Sequence, residues 1–340
     1  MDANAGDTQQ VCSTTPAPTS PLVRMLHFDR DRAPEEVDVA ALATCMPVAD
    51  ARLLWIDVTA AQVPDALLDA LDLDASRVAI ASGFAPALAV DGTWKYLQVF
   101  ALDWQGRRPT TVPLTIAIGR NTIVTVHAAP VAFLQSVLDE EIDQLRVGSL
   151  DAMTFASTLL DRMLTDYLDA RDEFENVLDR LELQILRNPQ ARLLRELQHM
   201  RRFASKLRQY LADQRDVFDA IGRPDFDPAL SADATGHCQR LRARYAQVTE
   251  SMEAARELVN GSFDLYTSRV AENTNQTMHT LTFVTVVIGV MATIAGVMGM
   301  NFKAPVYDTG LHGFIATLGG MLALAAVATG WLAWRRRAVR

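Results

Sequence analysis

Hydrophobic and polar positions change their rhythm three times along this chain. Between residues 22 and 128 the period is short. LVRMLHF, RLLWIDVT and KYLQVFALD are brief β-favouring runs, AQVPDALLDALDL has helical spacing, and PLTIAIGRNTIVTVHA alternates on both sides of Gly119-Arg120-Asn121, as a hairpin does. After about Val131 apolar residues recur at threes and fours. This spacing predicts one helix over Asp151–Arg187, ended by Pro189, and a second over Ala191–Ile221, ended by GRPDFDP. No proline occurs between Ser231 and Pro305, which predicts a single helix over Ser231–Met300, about 105 Å long at 1.5 Å per residue. Gly261 inside it is tolerable. The apolar stripe of so long a helix needs neighbours, and self-association supplies them.

Two segments then lose polarity altogether. Leu281–Met300 carries no charge over twenty residues, which is about 30 Å of helix and one hydrocarbon thickness. Leu311–Trp334 is also uncharged and slightly longer, and Asn273–Trp334 as a whole holds only Lys303 and Asp308 as full charges. Two membrane spans are predicted. Arg335, Arg336, Arg337 and Arg340 follow the second, against one lysine in the loop between them, so the positive-inside rule places the C-terminus in the cytoplasm. Two crossings return the N-terminal part to the same side, and Trp331 and Trp334 fit an aromatic belt there. The expected organisation is a disordered tail (1–20), an α/β cytoplasmic domain (21–150), an antiparallel helical pair (151–230) and a cytoplasmic stalk helix (231–280). The first span (281–300), a periplasmic loop (301–310), the second span (311–334) and a basic cytoplasmic tail (335–340) complete it.

Composition narrows the function classes. The net charge of −9, from 41 acidic and 32 basic residues, falls on the water-exposed region and speaks against nucleic-acid binding. Cys12, Cys45 and Cys238 have no CxxC or zinc-ribbon spacing and read as free thiols. The first twenty residues lack the basic start and apolar stretch of a secretory signal. No GxGxxG, P-loop or Ser/His/Asp pattern is present, so no enzyme and no cofactor are expected. His27 and His127 read as packed or solvated single residues. The basic face of the second helix (Arg201, Arg202, Lys206, Arg208) reads as a solvated surface.

One pattern carries more. Asn275, Met278, Thr282, Thr285, Gly289, Ala292 and Gly296 recur at threes and fours on one helical face, nearly all small or polar, while Phe283, Val284, Val287, Ile288, Val290 and Ile294 occupy the others. Small residues at this spacing permit close helix packing. The same face, repeated around a ring of subunits, would line a pore with neutral oxygens and avoid a buried charge. The residues alone leave both readings open.

At the end of this face stands Gly299-Met300-Asn301, and here the chain resembles the CorA-type divalent cation transporters, whose signature is Gly-Met-Asn at the outer end of the first of two terminal spans. NQTMHTLTFVTVVIGVMATIAGVMGMNF looks like the family's pore helix, including Asn275, Met278, Leu281 and Ile294-Ala295-Gly296. GSFDLY in the stalk and the basic tail are also similar. The resemblance implies a homopentameric funnel in a bacterial-type inner membrane, with Gly299, Met300 and Asn301 as selectivity filter. Asn275, Met278, Leu281, Thr282, Thr285, Gly289, Ala292 and Gly296 would line the pore. Asn301 would hold a hydrated ion through its waters, which suits Mg²⁺, a cation that dehydrates reluctantly. Potential-driven Mg²⁺ uptake is the expected function. The alternatives are a ZntB-type transporter of Zn²⁺ (or Co²⁺ and Ni²⁺), with proton coupling as one option, and a non-transporting membrane scaffold or sensor. The segment offers zinc no Cys and no carboxylate, only His279 and His312 near the span edges.

Three features depart from the family pattern. Val290 stands where a mid-helix proline is common, and Gly289 where a constricting methionine precedes it, which implies a wider pore there. Arg240 and Ala243 fall where some members carry an acidic pair that binds regulatory Mg²⁺ between subunits. This chain is therefore expected to lack that sensor. The outer loop opposes Lys303 to Asp308 and is close to neutral.

Overall fold

The computed structural model describes residues 22–29, 32–37, 52–80, 83–104, 109–137, 151–223, 226–228, 230–300 and 310–338. The expected tail (1–20), Cys12, Cys45, and the loop residues Asn301, Lys303 and Asp308 lie outside them. The chain divides into two compact units, Met1–Gln184 with Gln190–Phe263, and Ile185–Pro189 with Asp264–Arg340.

The first unit is built on seven strands: β1 (Leu22–Asp29), β2 (Arg32–Val37), β3 (Arg52–Thr59), β4 (Ala87–Asp91), β5 (Trp94–Trp104), β6 (Pro109–Ile118) and β7 (Thr122–His127). They form one sheet in the order β2-β1-β3-β7-β6-β5-β4. Every pairing is antiparallel except the central one, β3 with β7, where Asp57 lies opposite Thr125 and Thr59 opposite His127. That pair is buried on both faces, as parallel strands with covered faces must be. The hairpin expected around Gly119 joins β6 to β7, and the Gly119 amide closes the turn on the Thr122 carbonyl at 2.8 Å. Glycine is needed there because a Cβ would stand 3.0 Å from the Trp94 ring.

Alternation along the strands sends Leu54, Ile56, Val58, Val124 and Val126 to one face. There they pack with Leu67 and Leu71 of α1 (Asp65–Leu71), Val78 of α2 (Ala75–Val78), and Trp94. Trp55 faces the other way. Its ring meets Phe155 of α4 at 5.3 Å, and Phe155 also touches Phe28 at 5.5 Å. Helix α3 (Ala132–Ser136) precedes this second layer, which comprises α4 (Ala152–Arg187), α5 (Ala191–Asp213), α6 (Arg215–Ile221) and the first part of α7 (Ala232–Met298).

Ala234, Cys238, Leu241, Tyr245, Val248, Met252, Ala255, Val259 and Ser262 are the buried residues of α7. Their spacing alternates four and three throughout, a heptad seam sustained for four repeats. Leu193, Leu197, Met200, Ala204, Leu207 and Leu211 continue the same rule on α5. Phe218 stacks on Tyr245 at 4.5 Å and Phe174 on Phe203 at 5.3 Å. From Ala234 to Ser262 the long helix is thus covered by its own chain along one stripe, and beyond Ser262 none of its residues is buried.

The helix expected over Ala191–Ile221 is two helices, broken at Gln214. This side chain is fully buried. Its Oε1 accepts the Phe100 amide at 3.0 Å, and its Nε2 donates to the Tyr210 carbonyl at 2.9 Å and the Tyr167 hydroxyl at 3.3 Å. The Tyr167 hydroxyl in turn donates to the Phe100 carbonyl at 3.2 Å. Strand β4 pairs with β5 only as far as Gln98, with Pro86 just before it, so Phe100 has no neighbouring strand on that flank. Two side chains take the place of the missing strand, and the helix bends to deliver one of them.

Two packing tests arise here. A Cβ at Gly222 would stand 2.8 Å from the Arg242 Cβ and overlap its Cδ, while Arg242 is also held by Asp219 at 3.0 Å. Gly222→Ala should therefore lower stability by about 1–3 kcal/mol in urea or thermal melts. Gly222→Ala as stable as wild type would mean that Arg242 moves aside freely.

Asp166, on α4, is a second case. Burial pushes its carboxyl up to about 6, against Arg162 and with help from Asp169. A carboxyl raised above its unfolded value of 3.8 favours the fold when protonated, and that contribution is lost as pH rises through about 6. Asp166→Asn should raise the melting temperature at pH 7.5 and change it little at pH 4. Equal effects at both pH values would contradict the assignment.

Candidate functional site

The second unit contains the end of α7 and helix α8 (Gly310–Ala338). Both are long and apolar enough to cross a membrane, and none of either helix's most apolar stretch is buried within the chain. The expected second span thus starts one residue earlier, and its helix runs on to Ala338.

On α7, only Phe283, Val287 and Met291 are half-buried between Leu281 and Met300. On α8 the half-buried positions are Gly313, Thr317, Met321, Ala325 and Ala328, mostly small residues at threes and fours. Trp331 follows three residues later, and its ring meets Phe283 at 5.2 Å. This is a close-packed seam of the kind small residues allow. At 100° per residue, the mean direction of Asn275, Met278, Thr282, Thr285, Gly289, Ala292 and Gly296 lies about 170° from Phe283, Val287 and Met291. The small and polar stripe therefore points away from the second helix. Each of its residues is exposed, as is Leu281 at its margin.

Space beside the stripe is open. A Cβ at Gly289 or Gly296 would meet nothing within 4 Å, so the contacts within this chain do not account for these glycines. The Thr285 hydroxyl donates to the Leu281 carbonyl at 2.9 Å. Its proton is committed to the helix, and its oxygen faces outward as an acceptor.

The helix ends at Met298. The Gly299 amide still donates to Ala295 at 2.9 Å, and the Met300 amide closes a tighter turn on Val297 at 3.3 Å. Gly299 does not adopt a positive φ. What requires glycine is proximity, since a Cβ would lie 3.3 Å from the Ala295 carbonyl oxygen. Asn301 follows this turn, outside the described residues. Among the described residues no group of three or more His, Cys, Asp or Glu could hold a metal ion. His279 and His312 are both exposed.

His127, expected as a packed or solvated single residue, instead belongs to a polar cluster in the first unit, because β3 and β7 pair in parallel and bring Asp57 beside it. Asp57 and His127 are nearly inaccessible, 6% and 3% exposed. His127 Nε2 lies 3.1 Å from the Asp57 carboxylate, and its Nδ1 lies 2.7 Å from the Ala129 carbonyl. The Ala129 carbonyl only accepts, so Nδ1 carries a proton, and an ionised Asp57 favours a second one on Nε2. Thr125 donates to the same carboxylate and receives the Trp55 indole N–H at 3.0 Å. Burial pulls the imidazole down, but the hydrogen bond and charge of Asp57, together with Ala129, hold it above its ordinary value.

A family model described as "CorA-like Mg2+ transporter protein" matches residues 50–337. The chain belongs to the CorA-like Mg²⁺ transporter family. It is 26% identical over 146 residues to the cobalt/magnesium transport protein CorA of Thermotoga maritima, a match covering 43% of this chain and 41% of that one. It is 29% identical over 182 residues to the divalent cation transporter CmaX of Pseudomonas aeruginosa, covering 53% of each. The chain thus spans about half the length of the curated relatives it matches. Its fold is similar to that of the CorA magnesium transporter of Methanocaldococcus jannaschii, with a TM-score of 0.67 at 19% identity, over 90% of this chain and 96% of that one. The α/β sheet domain, long helices and two membrane helices are the architecture of the family, which is one of membrane transporters and not of enzymes.

Proposed function

We propose that five copies of this chain form a conduit for divalent cations, with Mg²⁺ as its principal cargo. The observation that carries this reading is the polar stripe of α7, which points away from α8 and whose Gly289 and Gly296 face open space among the described residues. In a ring of copies the stripes would face one another. Asn275, Met278, Thr282, Thr285, Gly289, Ala292 and Gly296 would line the path, with Leu281 at its edge. Gly299, Met300 and Asn301 would form the mouth.

Neutral oxygens suit this cargo. Mg²⁺ holds its octahedral water shell tightly. Amide oxygens of Asn301 would accept hydrogen bonds from those waters and bind the ion weakly enough to release it. With the large N-terminal part and the C-terminus in the cytoplasm, a potential of 100 mV, negative inside, favours entry of a divalent cation by about 4.6 kcal/mol, twice the single-charge value. The absence of a described thiol, carboxylate or buried imidazole along the stripe favours a hydrated ion over directly ligated Zn²⁺.

The test is uptake into liposomes containing the purified protein, with Mg²⁺ and Zn²⁺ compared under an imposed potential and, separately, a pH gradient. The particle mass in detergent is measured in parallel. Potential-driven Mg²⁺ flux through a pentamer is the expected result. Zn²⁺ flux that needs the proton gradient would reassign the cargo and coupling. A pentamer that passes neither ion would leave a scaffold.

A further inference from the structure

The second unit includes a short piece remote in sequence, Ile185–Pro189, which packs with the segment from Asp264 onward. This is the turn joining α4 to α5. Pro189 closes one side of a cleft of about 330 Å³ whose other walls are Val270, Asn273, Thr274, Thr277 and Met278 of α7. Met278 lies only three residues before Leu281, where the charge-free stretch begins, and therefore about 4.5 Å along the helix from that boundary. The polar headgroup zone is roughly 5–7 Å deep on each side of the hydrocarbon. If α7 crosses the bilayer from Leu281, the turn is held at headgroup depth.

The side chains at the turn suit that place. Leu183 and Leu186 are 57% and 41% exposed, and Arg187 beside them is exposed as well. The spacing of three and four puts all three on one face of α4. Met278 and Val270 are 62% and 38% exposed at the cleft. The thirteen residues Leu183–Arg195 contain Arg187, Arg192 and Arg195 and no acid. On α7, the last carboxylate before the span, Glu272, is already paired with Arg269 at 2.6 Å. Exposed leucines beside Arg187, in a segment bounded by Glu182 and Glu196 but itself carrying only arginines as charges, match a surface with an apolar interior and an anionic rim.

We propose that Leu186, Arg187 and Pro189, with Val270, Asn273 and Thr277 of α7, form a docking surface for anionic phospholipid headgroups of the leaflet facing the α/β domain. The phosphate would sit against Arg187, and the Leu186 side chain would enter the headgroup–acyl boundary. The surface would tie the composition of the lipid to the base of the membrane segment. This inference rests on α7 and α8 spanning a bilayer, and it does not depend on which cation is carried or on which side the domain lies.

The test is backbone hydrogen exchange on the full-length protein in lipid nanodiscs, read over residues 183–195. Three conditions are compared: phosphatidylcholine alone, phosphatidylcholine with phosphatidylglycerol, and phosphatidylcholine with inorganic phosphate in solution. Exchange should slow in the phosphatidylglycerol discs only. In Leu186→Asp/Arg187→Glu that slowing should disappear, with exchange in β3 and β7 unchanged. Arg187→Gln alone should reduce the preference for the anionic lipid roughly fivefold, the usual share of one arginine near a charged membrane surface. Equal exchange in the two lipid mixtures, or equal slowing by free phosphate, would overturn the proposal. Because the readout is not flux, a lipid effect without transport would sink the conduit and spare this surface, and transport without a lipid effect would do the reverse.

Discussion

Potential-driven Mg²⁺ uptake should fall to the leak of protein-free liposomes when Asn301 is replaced by alanine. The substitution removes the amide oxygen proposed to receive the water shell of the arriving ion, once per subunit. It leaves the helix intact, because α7 ends at Met298 and the last backbone bonds before the loop are made by Gly299 and Met300. A pentamer of unchanged mass and melting temperature is therefore expected alongside the lost flux. Asn301→Asp separates binding from release. It keeps the oxygens but adds a charge, which should strengthen ion binding and slow throughput, a change visible as a lower apparent KM with a lower maximal rate. Full Mg²⁺ flux through Asn301→Ala would remove the filter from this tripeptide. The stripe of α7 would then need another selectivity element.

The second large effect belongs to the sheet. His127→Leu should destabilise the first unit by about 3–5 kcal/mol, the cost of leaving the Asp57 carboxylate buried without its cation. The double variant Asp57→Asn/His127→Leu should recover a large part of that loss, since neither charge then remains in the interior. Acidity gives an independent readout. A histidine raised above its ordinary value supports the fold fully below about pH 6.5 and loses that support as pH climbs through its folded value. Unfolding of the wild type, followed by urea titration between pH 6 and 10, should show a decline in stability that His127→Leu lacks. Parallel declines in both proteins would place the pH dependence elsewhere.

Local rhythm made some of this architecture readable. The β6–β7 hairpin follows from alternation around Gly119, where a Cβ would press closely on the Trp94 ring. The long uninterrupted α7 follows from the lack of proline. β2 was not readable because RAPEEV is short, polar and carries Pro34, all features of an edge. The break at Gln214 was invisible for another reason. Glutamine is a good helix former, and what bends the chain is an unpaired amide 114 residues away. Asp57 and His127 are 70 residues apart and meet only because β3 and β7 pair in parallel. The membrane stripe could be read as a face, but not what it faced. The seam through Phe283 and Trp331 supplied that direction. The proposed filter rests on resemblance alone, since Gly-Met-Asn states no chemistry until its place at a span's end is known.

The two side chains that complete Phe100 bear on how copies avoid the wrong association. In the proposed ring, five domains tethered to one membrane assembly would experience one another at millimolar effective concentration, where an open strand flank would recruit its counterpart and grow into a fibril-like stack. Here β4 is only five residues long, and of the backbone it leaves bare on β5 the Phe100 amide and carbonyl are already occupied by Gln214 and Tyr167. Removing those two polar tips should cost little solubility in a dilute monomer and much more in the crowded assembly.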